Sequence, residues 1–128
     1  MRVLLDTQAV LWYVDQDHLV GPAARTTMAD PQNDLLLSAA TIWEVAIKVG
    51  LGKLTLSQLY RQWMSQVLTD LDLAVLPVTI DYAAAQAALP YHHGDPFDRL
   101  LVAQALVEGI SVVSNDGAFD TYGVTRIW

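Results

Sequence analysis

Short continuous apolar runs alternate along this chain with longer stretches in which apolar residues recur every three or four positions. That alternation narrows the possible folds more than any other feature. The runs are "RVLL" near the start, "LLL" at 35–37, "LAVLPV" at 73–78 and "ISVV" at 110–113, and they read as strands buried on both faces. Between them, "TQAVLWYV", "GPAARTTMA", "AATIWEVAIKV", "LSQLYRQWMSQVL", "DYAAAQAAL" and "FDRLLVAQALVE" carry helical spacing. Strand and helix in alternation predict an α/β fold, with a parallel sheet covered by helices on both sides.

The stops and starts agree. Gly50 and Gly52 close one helix, Pro90 another, and Gly109 falls just past "FDRLLVAQALVE" where a C′ glycine belongs. Pro22 and Pro96 fall where first-turn prolines belong. A length of 128 residues, with no repeat and no linker, predicts one domain over 1–128. Apolar residues make up 53% of the chain, enough for a sizeable core. No apolar run approaches the roughly 20 residues of a membrane span, and "MRVLLDTQ" lacks a signal-peptide apolar region, so a cytoplasmic protein without membrane contact is expected. The absence of cysteine excludes disulfides, thiolate nucleophiles and zinc-thiolate sites.

Fourteen acids against seven bases leave a net charge of −7, the opposite of the usual footprint of a nucleic-acid binder. A chain that handles a polyanion must offset that field, through metal ions or through clustered bases. A solubilising surface is the plainer reading.

In an open α/β sheet, ligands bind beyond the carboxyl ends of the strands, so polar residues just after the apolar runs matter most. "RVLL" ends in Asp6-Thr7, "LLL" ends in Ser38 and leads to Glu44, and "ISVV" ends in Ser114-Asn115-Asp116. Asp98 stands in the first turn of the helix that precedes the last of these runs. Each acid also has a bland reading. Asp6 suits a helix N-cap, worth about 1 kcal/mol. Glu44 suits an i,i+4 pair with Lys48, worth about 0.2–0.5 kcal/mol. Its helix is apolar almost all round, however, so burial is expected and a lone carboxylate there needs a partner or a metal. Asp116 in "SNDG" suits a turn, with Gly117 at positive φ. Asp95 suits an N-cap, and Asp98 the favourable N3 position one turn in.

The case for a site is therefore collective. Four converging carboxylates repel, which raises their pKa values and destabilises the fold unless a cation intervenes. Oxygen-only ligands favour a hard ion, Mg²⁺ or Mn²⁺, which can neutralise a scissile phosphate and activate water.

The order Asp6, Glu44, Asp98, Asp116, in the contexts "VLLDTQAVLW", "LLLSAATIWEVAIKVGLGKL", "HHGDPFDRLLVAQALVEG" and "VVSNDGAF", resembles the PIN-domain ribonucleases, and more narrowly the VapC toxins of type II toxin–antitoxin modules. The resemblance covers essentially the whole chain. It implies a three-layer α/β/α PIN-like fold and a Mg²⁺- or Mn²⁺-dependent endoribonuclease, with Asp6, Glu44, Asp98 and Asp116 as catalytic and metal residues. It implies that Asp98 rather than Asp95 is the metal-site residue, and that Thr7 and Ser114 are supporting hydroxyls. It further implies an RNA substrate, a VapB-type antitoxin and a homodimer. Gln8 departs from the histidine that close relatives carry at that place.

Among the remaining polar residues, Arg99 and Lys48 are candidates for holding a phosphate or a partner's acid, or for pairing with a neighbouring carboxylate. His92 and His93 are candidates to touch RNA, with simple exposure in a polar loop the plainer expectation. The tryptophans are expected mostly in the core, with Trp12 or Trp63 the ones to face a partner. Three other classes compete, and one of them, a receiver-like signalling domain, needs an acidic pair after the first strand and a lysine after the last, whereas no lysine follows Lys53. A haloacid-dehalogenase-type phosphatase needs an acid where Gln8 stands, and a non-catalytic module of the same fold needs only that the carboxylates do not meet.

Overall fold

The computed structural model describes residues 1–128. Strands β1 (Arg2–Leu5), β2 (Asp34–Ser38), β3 (Ala74–Leu76), β4 (Ser111–Val113) and β5 (Arg126–Ile127) form one sheet in the order β3-β2-β1-β4-β5. Every pairing is parallel, and β1 is central, with Leu5 opposite Leu37 on one side and Val113 on the other. Helices α1 (Thr7–Asp15), α2 (Pro22–Ala29), α3 (Ala39–Gly50), α4 (Tyr60–Asp70), α5 (Ile80–Ala87) and α6 (Pro96–Glu108) cover the two faces.

The alternation of side chains along the strands divides the core in two. Val3 and Leu5 point to one face, where they pack with Val10 of α1, Ala24 and Met28 of α2, Val45 of α3 and Trp63 of α4. Leu4, Leu36 and Val112 point to the other, against Leu101 and Val102 of α6, Tyr82 of α5 and Phe119. The result is the three-layer α/β/α arrangement expected from the sequence.

Local rules explain the boundaries. Ser38 caps α3, accepting the Ala40 N–H at 3.2 Å. Pro22 and Pro96 stand in the first turns of their helices. Gly109 ends α6 at φ 65°, a left-handed value that a residue with a Cβ resists. No helix is long and apolar enough to cross a membrane.

Several expectations are corrected. The "LAVLPV" run yields only three strand residues at the sheet edge, with Ala74 and Val75 exposed, because Pro77 follows and no strand covers that side. Helix α4 starts at Tyr60, four residues after Leu56, and β5 is too short to show a periodicity. Gly117 does not take positive φ; it opens a 3-10 helix, Gly117–Tyr122, that Asp116 caps. Helix α3 is not buried all round, since Trp43 is 65% exposed. Trp63 is buried and donates from Nε1 to Asp15 at 3.1 Å, so it faces no partner.

Candidate functional site

The sheet order reverses direction at β1: the chain moves out from it through β2 to β3, then returns to its other side with β4. The crevice at such a switch point, beyond the carboxyl ends of β1 and β4, is where α/β folds place ligands. Asp6 and Ser114 flank it. The Asp6 N–H extends the ladder by donating to the Val113 carbonyl at 3.0 Å, and this brings Ser114 Oγ to Asp6 Oδ2 at 2.8 Å. Asp6 occupies the N-cap position of α1, but its side chain makes no capping hydrogen bond. Capping therefore does not account for this aspartate.

Glu44 comes in from α3 and is buried. Its Oε1 accepts from Thr7 Oγ1 at 2.6 Å and its Oε2 from Lys48 Nζ at 2.8 Å. Thr7 also lies 3.1 Å from Thr41, oxygen to oxygen. Both expected hydroxyls thus hold acids: Thr7 holds Glu44 and Ser114 holds Asp6.

Helix α6 separates its two aspartates by task. Asp95 Oδ1 accepts from the N–H groups of Phe97 (2.8 Å) and Asp98 (3.1 Å), satisfying donors that a helix start leaves open. Asp98, one turn in, has no such duty and turns its carboxylate to the crevice. Asp116 uses Oδ1 to accept the Ala118 N–H at 2.9 Å, and its own N–H donates to Ser114 Oγ at 3.0 Å.

Asp6, Glu44, Asp98 and Asp116 line one cavity of about 460 Å³ together with Thr7, Gln8, Lys48, Asp95, Asn115 and Gly117, and no hydrophobic residue contributes to it. A larger cavity of about 580 Å³ lies at the opposite edge of the sheet, beside Asp34 and Ala74, away from every strand carboxyl end. Size does not mark the chemistry here; convergence of acids does.

The electrostatic consequence is large. Burial, and then the charges of Asp6, Asp95, Glu44 and Asp116, push Asp98 up to about 7. Burial pushes Asp6 up to about 6 against the lowering effect of the Ser114 hydrogen bond, with Glu44 and Asp116 adding to the rise. Lys48 is raised by its hydrogen bond to Glu44 and by the nearby acids. Lys48 alone does not balance four carboxylates. The donor set is oxygen-rich and like-charged, which fits a hard divalent ion held by Asp6, Glu44, Asp98 and Asp116.

Two residues stand elsewhere than expected. Arg99 is 3% exposed and faces inward: Nη1 donates to Pro90 O at 2.9 Å and Tyr122 Oη at 3.2 Å, and Nη2 to Gln86 O at 3.0 Å. It pairs with no carboxylate and binds the end of α5 to the start of α6. His93 is not simply solvated. Its Nε2 lies 3.4 Å from Asp98 Oδ2 and 3.9 Å from Asp116 Oδ2, and one ligand atom from each of these three residues lies within 4.8 Å of the others. Its nearness to Asp95 in sequence was the only signal, since the ring's direction is set by a local contact, the Asp95 N–H donating to His93 Nδ1 at 3.0 Å.

A family model described as "PIN domain" matches residues 3–124. The chain belongs to the PIN domain family. Solved structures share this PIN fold over almost the full length. The VapBC2 complex of Rickettsia felis, solved with a DNA fragment from its promoter, aligns with a TM-score of 0.68 at 16% identity, covering 98% of this chain and 97% of that one. FitAcB of Neisseria gonorrhoeae aligns at 0.67 and 20% identity over 97% and 95%. VapBC-1 of nontypeable Haemophilus influenzae aligns at 0.64 and 17% identity over 98% and 96%. At such identities the likeness is one of fold. No curated protein matches the chain in sequence. PIN membership removes the haloacid-dehalogenase alternative.

Proposed function

We propose that this PIN domain, spanning residues 1–128, is a Mg²⁺- or Mn²⁺-dependent endoribonuclease. In this reading it is the VapC-type toxin of a type II toxin–antitoxin pair, acting on RNA in the cytoplasm. The observation that carries the nuclease reading is the meeting of Asp6, Glu44, Asp98 and Asp116 in one cavity at the switch point of the sheet. The toxin reading draws on the fold shared with the VapBC and FitAcB proteins. A VapB-type antitoxin and a second copy of the chain are its proposed partners.

An ion bound by the four acids supplies positive charge to a scissile phosphate and a water nucleophilic at neutral pH. The chain's own residues prepare that site. Ser114 and Thr7 fix the carboxylates of Asp6 and Glu44 with one donated hydrogen bond each. Lys48, paired with Glu44 at the cavity rim and 45% exposed, would offer its remaining ammonium protons to a phosphate of the substrate. Gln8 lines the same cavity and offers amide hydrogen bonds in place of an imidazole.

The test is incubation of the purified protein with total cellular RNA, with Mg²⁺ or Mn²⁺ and with chelator, and mapping of the ends formed. Metal-dependent cleavage is expected, and its absence in every metal condition overturns the proposal.

A further inference from the structure

Hydrogen-bond donors are shared unequally among the carboxylates of the cavity. Asp6 has Ser114, Glu44 has Thr7 and Lys48, Asp95 has two backbone N–H groups, and Asp116 has the Ala118 N–H. Asp98 accepts none. The nitrogen that approaches it is His93 Nε2, at 3.4 Å, which is within reach but longer than a formed hydrogen bond. The same atom lies 3.9 Å from Asp116, so it stands between the two acids.

The other side of the imidazole fixes what Nε2 can do. His93 Nδ1 lies 3.0 Å from the Asp95 N, and a backbone N–H only donates, so Nδ1 presents its lone pair. In the neutral ring the proton is then on Nε2. A protonated nitrogen cannot ligate a metal but can donate to a carboxylate. The backbone that carries the ring is also held: the N–H groups of His92 and His93 donate to Tyr122 Oη at 3.1 and 3.0 Å, and Tyr122 in turn accepts from the buried Arg99.

We infer that His93 is a positioning residue for the metal site, donating from Nε2 to Asp98 and orienting its carboxylate without binding the ion itself. The inference rests on the carboxylate site proposed above. Hydrogen bonds of this kind are often long before a site is loaded and shorten when it is, and outer partners of metal ligands typically contribute 10–100-fold in affinity or activity.

Two substitutions separate this role from support of the loop. His93→Asn places a polar atom near Nδ1 and keeps a partner for the Asp95 N–H, but removes the donor toward Asp98. His93→Gln places its amide nitrogen near Nε2 and gives up the loop contact. The measurements are Mn²⁺ affinity by calorimetry, kcat for RNA cleavage, and the melting temperature of the metal-free protein. H93N is expected to weaken Mn²⁺ binding and lower kcat by about 10-fold or more, and H93Q by clearly less. The melting temperatures are expected in the reverse order, with H93Q the lower. Equal losses in the two variants, or a greater loss in H93Q, assign the residue to the loop and overturn the inference. A wild-type protein that binds no Mn²⁺ overturns the site itself, a different result from one that binds Mn²⁺ with no difference between wild type and H93N.

Discussion

Ser114 donates to Asp6 at 2.8 Å across 108 positions of sequence, and this bond joins the two central strands at the point where the acids collect. It is also the main influence holding the Asp6 pKa down against burial. Ser114→Ala removes it while changing almost no volume. The acid limb of the cleavage pH profile should shift upward in S114A, measured as log kcat/KM against pH with Mn²⁺ in excess.

Asp95 and Asp98 lie three positions apart and differ in task. Asp98→Asn should reduce cleavage to background with the fold intact by circular dichroism. Asp95→Asn keeps a side-chain oxygen for the Phe97 and Asp98 N–H groups, so its activity should remain within about tenfold of wild type, a cap exchange of this kind altering stability by under about 1 kcal/mol. Equal loss in the two variants would mean that Asp95 is the metal residue.

Metal-free stability should fall as pH rises. In the folded protein Asp6 stands at about 6 and Asp98 at about 7, against 3.8 for each in the unfolded chain. A carboxyl with a raised folded pKa contributes stability that is complete below about pH 4 and lost as pH passes through 6 and 7. For Asp6 alone the effect is roughly 3 kcal/mol. The melting temperature in chelator should therefore drop between pH 5 and pH 8. Asp98→Asn should melt higher than wild type at pH 8 and equally at pH 4. Mn²⁺ should raise the wild-type melting temperature at pH 8, by about 2.7 kcal/mol of stability at a hundred times Kd, and leave Asp98→Asn nearly unchanged.

Arg99 has a structural test. Arg99→Met removes a guanidinium that serves the carbonyls of Pro90 and Gln86, leaving partly buried acceptors without donors. A loss of about 2–4 kcal/mol is expected in urea unfolding. An unchanged unfolding midpoint would place the residue outside the framework of the site.

Much of this was legible beforehand because one physical rule sufficed for each part. Continuous apolar runs mark the strands of a parallel sheet, and β1, β2 and β4 lie where those runs stand. Glycine and proline mark helix ends, and Gly109, Pro22 and Pro96 act accordingly. Helix-start rules account for both Asp95 and Asp98, and it was the family resemblance that singled out Asp98. What stayed hidden depends on loops. His93 reaches the acids only because the segment before α6 folds back onto Tyr122, and Arg99 turns inward because α5 ends one turn before Pro90. Neither is encoded in a period. Trp43, one residue before Glu44, is exposed for a related reason: spacing shows that a helix is apolar but not which side the sheet leaves open.

The acids of the cavity are collected from positions 6 to 116, and β4, which sits directly beside β1, is made late. While the chain is still being synthesised, Asp6 lacks its donor, β1 lacks one neighbour, and the cavity lacks a wall. Pairings this distant in sequence also form slowly, since closing so long a loop comes before any gain from contact. A nascent chain on the ribosome is thus without its four-acid cavity until nearly all of it has emerged, and under the proposed ribonuclease function the order of its own strands would keep the cutting site unmade while the message is being read.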